Sequence, residues 1–367
     1  TWETVITKNI GLDLGFLNNR LNVSFDAYIR DTKDMLMAGK TLPGVYGASS
    51  PRMNVADLRT KGWEASITWG DSFTLASKPF NYRIMAGIGD NTSKVTKYDN
   101  PNRTLTDPYE GQQLGEIWGY VVDGYFKTDE EARNYKVDQS FVNQMINASA
   151  LDNGLHAGDL KFVDLDGNNK IEQTTSANDR KDMKVIGNSL PRYNYNLGIS
   201  ADWYGIDFSV LFQGIGKQNW YPGAETSMFW GPYSRPYASF IPSDFMSQVW
   251  SEENSNAYFP RPRGYVALGS NRELAVVNTK YLQNLAYCRL KNLSIGYTLP
   301  DKWLSKIGFE KIRVYFSGEN LLTFTKLHSD YIDPEQASAS NSWKTSKSDA
   351  NIYPWAKTYS FGVDITF

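Results

Sequence analysis

The stretch YSFGVDITF (359–367) alternates without a break. Side chains of an extended strand point alternately to opposite faces, so Tyr359, Phe361, Val363, Ile365 and Phe367 share one side and Ser360, Gly362, Asp364 and Thr366 share the other. One face is wholly apolar and the other suits water. The same pattern recurs upstream. Residues 21–29 place Leu21, Val23, Phe25, Ala27 and Ile29 together, and residues 193–203 do so with Tyr193, Tyr195, Leu197, Ile199, Ala201 and Trp203. Residues 10–16, 63–69, 206–212 and 293–299 repeat it, 80–88 and 312–318 less strictly, for nine expected strands.

Period two alone also describes a soluble β-sandwich. Three further features favour a transmembrane β-barrel. The apolar faces carry no Lys, Arg, Asp or Glu, and a Lys or Arg near the midplane of a bilayer costs about 2–4 kcal/mol. Trp63, Trp69, Tyr193, Trp203, Tyr204, Tyr297 and Trp355 fall near strand ends, where an aromatic girdle lies. Connections alternate in length: short ones at 18–19, 71–78, 203–205 and 301–310 take turns with long ones at about 37–58, 98–190, 219–280 and 327–353. That is the asymmetry of short periplasmic turns and long outer loops. A secreted β-sandwich remains the alternative at this point.

Composition narrows the function. Among 367 residues, 38 Lys and Arg face 40 Asp and Glu, so no basic field points to nucleic acid. One cysteine, Cys288, precludes a disulfide framework within the chain. Two histidines, His156 and His328, leave little material for a His triad or a His-rich metal site. Aromatic content is 14%. No run nears the roughly 18 apolar residues of a membrane helix. The first residues, TWETVITKNI, carry no signal peptide and read as mid-pattern, from which the start of the protein is expected elsewhere.

The 98–190 connection is too long to be structureless. GEIWGYVVDGYF reads as a short strand pair. TDEEARNYKVDQSFVNQMINAS reads as a helix with Thr128 as N-cap and Glu131 completing a capping box. GDLKFVDLDGNNKIE then offers oxygen donors at Asp164, Asp166 and Asn168, a carbonyl at Lys170, and Glu172, a spacing that suits calcium. Asn169 stands where an EF-type loop has glycine, and Asp179 or Asp182 is expected to supply the missing carboxylate. An Asx-rich turn bonding its own backbone is the simpler alternative.

In the 219–280 loop, Trp220, Tyr221, Trp230, Tyr233 and Arg235 suit packing, a protein partner, or the apolar faces of sugar rings. Carboxylate pairs such as Glu252 and Glu253 read as exposed turns, because neighbours in sequence point apart. No GxSxG, HExxH, Walker or dinucleotide motif appears, and no enzyme is expected.

The order RTKGWEASITW, GEIWGYVVDGYF, GDLKFVDLDGNNKIE with NDRK, NSLPRYNYNLGISADWYGIDFSVLFQG, YCRLKNLSIGYTLP, IRVYFSGENLLTFTK and YSFGVDITF resembles SusC/RagA-type TonB-dependent transporters of Bacteroidetes outer membranes. The likeness runs along the whole chain. It implies the C-terminal strands of a 22-stranded barrel, with residues 1–367 as barrel, 98–190 as a structured extracellular loop, and the plug, the TonB box and earlier strands outside this chain. The remainder of the same barrel and the outer-membrane lipid are then its neighbours. It further implies TonB-driven import of oligosaccharides or peptides beneath a SusD-like surface lipoprotein. A passive porin and a soluble glycan-binding protein are the alternatives. The segment IEQTTSANDR is longer than the family pattern, which puts a ligand role for Asp179 in question. Asp26, Glu64, Arg83, Asp202, Asp207, Arg313 and Asp364 are expected to line a polar lumen.

Overall fold

The computed structural model describes residues 2–39, 45, 47, 51–142, 154–234, 241–262, 264–269, 272–304, 308–337, 347–348 and 353–367. Nine long strands form one antiparallel sheet in chain order: β1 (Thr4–Phe16), β2 (Leu21–Ala38), β3 (Arg52–Leu75), β4 (Lys78–Tyr98), β5 (Arg192–Trp203), β6 (Ile206–Lys217), β7 (Tyr287–Thr298), β8 (Lys311–Thr325) and β9 (Thr358–Thr366). All nine expected strands are present. Among the described residues β1 and β9 are the sheet edges.

Register turns nine separate alternations into two continuous faces. Phe16, Leu21, Trp69, Ile84, Ile199, Val210, Leu293, Gly318 and Tyr359 are successive cross-strand partners from β1 to β9. Asp13, Ser24, Ser66, Gly87, Asn196, Gln213, Arg289 and Thr323 form such a row on the opposite face. A slip of one residue on any strand would put its apolar set among the polar ones. Among the described residues nothing covers the apolar face at positions such as Ile10, 72% exposed, and Phe361, 83% exposed. In water that area would be very costly, whereas in lipid it is the ordinary outer surface of a barrel. No described helix is long and apolar enough to cross a membrane.

Three expected connections are tighter than the sequence suggests. The hairpin placed at 71–78 turns on Ala76 and Ser77 alone, both at positive φ, while Phe73 pairs with Phe80 and Asp71 with Tyr82. Tyr204 and Gly205, also at positive φ, close the β5–β6 hairpin in the same way. The 37–58 connection shrinks to 39–51, because Met37 and Ala38 still pair with Met53 and Arg52. Polar residues hide the strand ends at 71–78, and an irregularity at Asp34, at positive φ, breaks the alternation ahead of Met37.

At the tight-turn end, Phe73, Phe80 and Tyr82 cluster, Trp69 Nε1 donates to Tyr82 at 2.9 Å, and Trp203 Nε1 donates to Leu75 O at 3.2 Å. Tyr193 lies ten residues from Trp203 on β5, ~33 Å along the strand and ~25 Å in height at a tilt of ~40°, the height of a barrel's apolar band. Gly62 is required by a close approach, since a Cβ there would lie 2.4 Å from the Tyr28 ring.

The long loops form a second structure above the sheet. GEIWGYVVDGYF is two strands, Glu116–Tyr120 and Val122–Tyr125, but they do not pair with each other as expected. The first pairs with Met183–Asn188 and the second with Leu160–Phe162. The expected helix is one turn, Asp129–Arg133. Thr128 Oγ1 accepts from Glu131 N at 3.1 Å, and the Glu131 carboxylate reaches back to Lys127 N at 2.8 Å. Residues 135–142 leave the helix, and 143–149 lie outside the described residues.

Candidate functional site: loop canopy and inner wall

The canopy is built on buried aromatics. Trp220, Tyr221, Trp230 and Tyr233, expected at a contact surface, are at most 1% exposed. They form a core with Tyr125, Leu160 and Phe162 of the 99–191 loop and with Leu327 and Ile332 of the 326–357 loop. A side chain with no accessible surface cannot stack on a substrate or a partner, so that expectation is corrected for all four. Their polar tips are used internally: Tyr221 donates to Leu274 O at 2.8 Å, Trp230 to Gly223 O at 3.0 Å and Tyr233 to Pro260 O at 2.7 Å. Arg235 lies outside the described residues.

Loop-to-loop contacts fuse this core. Tyr125 donates to Tyr258 O at 2.5 Å, and Tyr120 exchanges backbone bonds with Val277 and Thr279. His328 stacks on Tyr258 with centroids 3.5 Å apart and meets Gln248 Oε1 at 2.8 Å. Burial lowers the His328 pKa from its ordinary value, as it does that of Lys280, whose ammonium sits 4.8 Å from the Tyr125 ring centroid.

The canopy is tied to the wall by charge. Arg289, on the inner face of β7, donates to Asp333 at 2.6 Å, to Glu335 at 2.5 Å and to Thr323 at 2.9 Å. Lys291 adds 2.7 Å bonds to Glu335. Arg289 and Asp333 are each 3% exposed at the side chain. These five residues escaped the sequence reading. A buried pair is worth little against an apolar substitute, but losing one partner strands a charge.

In the acidic turn, oxygens of Asp164, Asp166 and Asp182 lie within 4.8 Å of one another. Asp164 accepts from Gly167 N and Asn169 N, both at 2.7 Å, and Asn168 Oδ1 accepts from Lys170 N at 2.8 Å. Glu172 instead receives Asn168 Nδ2 at 3.1 Å. Asp182 is buried and accepts from Leu165 N at 2.9 Å and Glu172 N at 2.7 Å. Burial pushes its pKa up against those two bonds, and the charges of Asp166 and Asp164 add to the rise. Burial opposes ionisation of Asp164 too, but the N–H groups of Asn169 and Gly167 outweigh it and hold its carboxyl below the ordinary value. Asp179 is not brought into the group: its backbone closes a turn with Ser176, and its carbonyl accepts from Thr174. The converging donors are hard oxygens, which fit calcium; each aspartate also serves its own loop backbone.

The register places every expected lumenal residue on the polar face. Arg313 grips Asp207 at 2.6 and 2.8 Å and reaches Asp364 at 3.2 Å, while Asn81 donates to Asp202 at 2.8 Å. Asp26 and Glu64, directly opposite each other, share a groove with Tyr28, Asn194 and Asn196.

Residues 1–321 match the family model described as TonB dependent receptor-like, beta-barrel. The whole chain is 28% identical to TonB-dependent receptor P3 of Formosa agariphila, of which it covers 34%, and 24% identical to TonB-dependent receptor SusC of Bacteroides thetaiotaomicron, of which it covers 32%. The chain therefore spans about a third of the length of these relatives. Among solved structures it is similar to a chain of the RagAB peptide importer in its open-open state, with a TM-score of 0.71 and 22% identity over 100% of this chain and 35% of that one. The closed-closed state gives a TM-score of 0.70 at 21% identity, covering 100% of this chain and 36% of that one. At that identity the likeness speaks for the fold.

Proposed function

This chain belongs to the TonB-dependent receptor-like β-barrel family, and from that premise we propose that it supplies the C-terminal wall of an outer-membrane importer energised through TonB. The observation that carries the reading is the pair of oppositely facing rows across the sheet, one apolar toward lipid and one polar toward a lumen. In this reading the unpaired edges of β1 and β9 join the remainder of the same barrel, because backbone groups left open in lipid cost several kcal/mol each. The cargo is an oligosaccharide or a peptide, trapped under a SusD-like lipoprotein that closes over the canopy. The names of the relatives support the dependence on TonB, and oligosaccharide and peptide cargo stand equal in this reading. No covalent chemistry is needed: the protein binds, encloses and releases.

The decisive experiment is uptake of labelled oligosaccharide and labelled peptide mixtures by cells with and without the gene. Loss of uptake on deletion and on collapse of the proton gradient supports active import. Uptake that survives gradient collapse favours a passive porin instead. The acidic turn is further proposed to hold calcium in a structural role through Asp164, Asp166 and Asp182. Chelation should then speed amide exchange across 164–182, and calcium, not magnesium, should restore protection.

A further inference from the structure

Outward positions on β1–β4 gain cations toward the long loops, interspersed with Ile6, Ile29, Asp31 and an Asp90 that pairs with Arg192. Toward the tight turns they are apolar, as at Ile10, Phe25 and Ile67. Toward the long loops the same alternation sets Lys8 on β1, Lys33 on β2, Arg59 and Lys61 on β3 and Lys94 on β4 on that outer face. Register gathers them: Lys8 and Lys61 both flank Ile29, and Arg59 lies between Asp31 and Lys94. All five side chains are exposed. Asp31 accepts two bonds from Arg59, at 2.6 and 3.0 Å. Among the described residues none of the four lysines has an ion-pair partner. Outward positions near the loop-side ends of β5, β7 and β8 carry Tyr193, Cys288 and Phe324 instead.

The height is informative. Lys61 lies twelve residues from Phe73 of the tight-turn aromatic cluster, ~40 Å along the strand and ~30 Å in height at a tilt of ~40°, so the row begins where an apolar band of about 25 Å ends. Cations at that depth on a lipid-facing wall sit among headgroups. Their alkyl stems can lie along the band while the ammonium groups reach the polar layer.

We propose that this face of β1–β4 binds the phosphate groups of a phosphorylated lipid of the outer leaflet, with its acyl chains on Ile10, Phe25 and Ile67. Lysine acts on phosphate as a point charge, and Arg59 keeps donors beyond those given to Asp31. A soluble anion or an acidic protein would have to enter the headgroup layer sideways to reach these residues, whereas a lipid is already there. The inference rests on the outer-membrane reading.

The test uses the whole protein, folded into phosphatidylcholine vesicles that contain either diphosphorylated lipid A or the same lipid stripped of phosphate. It is then extracted in mild detergent, and its bound lipid is weighed by native mass spectrometry. Diphosphorylated lipid A should stay bound and its phosphate-free form should wash away. Lys8→Gln, Lys61→Gln and Lys94→Gln together should weaken retention by roughly a hundredfold, while Lys78→Gln with Lys311→Gln, at the tight-turn end, should leave it unchanged. Millimolar inorganic phosphate should not displace the lipid. Equal retention of both lipids, retention by the triple variant matching the parent, or displacement by free phosphate overturns the proposal. Heat-modifiable gel mobility of the parent protein reports on the barrel separately: its absence fails the outer-membrane reading, whereas a folded barrel without lipid selectivity fails this inference alone.

Discussion

Aromatic and aliphatic residues fill both the wall and the canopy, and they do opposite things there. Phe361 on β9 is 83% exposed and Trp230 in the canopy is 0% exposed. The wall turns its apolar side chains outward because its solvent is lipid; the canopy, in water, folds three loops around its own. Hydrophobicity in this chain therefore identifies a residue's surroundings only once the periodicity around it is known. Where the period is two, an apolar residue faces the membrane, and where it is broken, the residue seeks other loops.

That contrast can be broken at defined points. The largest effect should come from the joint between the two regions. Arg289→Met strands Asp333 inside the structure, and the opening free energy of 327–337, read by amide exchange in the extracted protein, should fall by about 3–5 kcal/mol. An unchanged exchange rate would mean that the loop is held by its apolar contacts alone. Trp230→Ala should cost the canopy roughly 3–5 kcal/mol while the strands keep their protection, since Trp230 touches none of the lipid-facing band. Loss of strand protection as well would show the two regions to be one folding unit.

Smaller effects sharpen the wall itself. Ile67→Lys should destabilise the folded barrel in bilayers by about 2–4 kcal/mol, whereas Ser66→Lys, one residue away on the polar face, should stay within about 0.5 kcal/mol. Comparable costs at 66 and 67 would remove the two-faced account. Thr128→Ala at the helix N-cap should cost about 1 kcal/mol of local stability, seen as faster exchange in 129–133 alone.

What was legible follows the same division. All nine strands of the wall could be read because alternation is local. The polar ends of β3 and β4 escaped because Asp71, Ser72 and Thr74 look like a loop until Phe73 is seen opposite Phe80. Nothing local pairs 116–120 with 183–188, or Arg289 with Asp333, since those contacts are made between distant parts of the chain. The acidic turn was half visible. Its first two aspartates are set by spacing, but choosing Asp182 over Asp179 depends on which one the segment between carries back to Leu165 and Glu172. The use of the buried aromatics stayed open in the sequence because proline- and aromatic-rich loops look alike whether they coat a surface or build a core.

The most direct test of the central claim is spin labelling along β3 of the whole protein in lipid bilayers, one label at a time from Glu64 to Trp69. Labels at 65, 67 and 69 should relax with oxygen dissolved in the membrane, and labels at 64, 66 and 68 with a water-soluble nickel reagent. Access of the nickel reagent to all six positions, or no alternation between them, would contradict a barrel wall with one face in lipid.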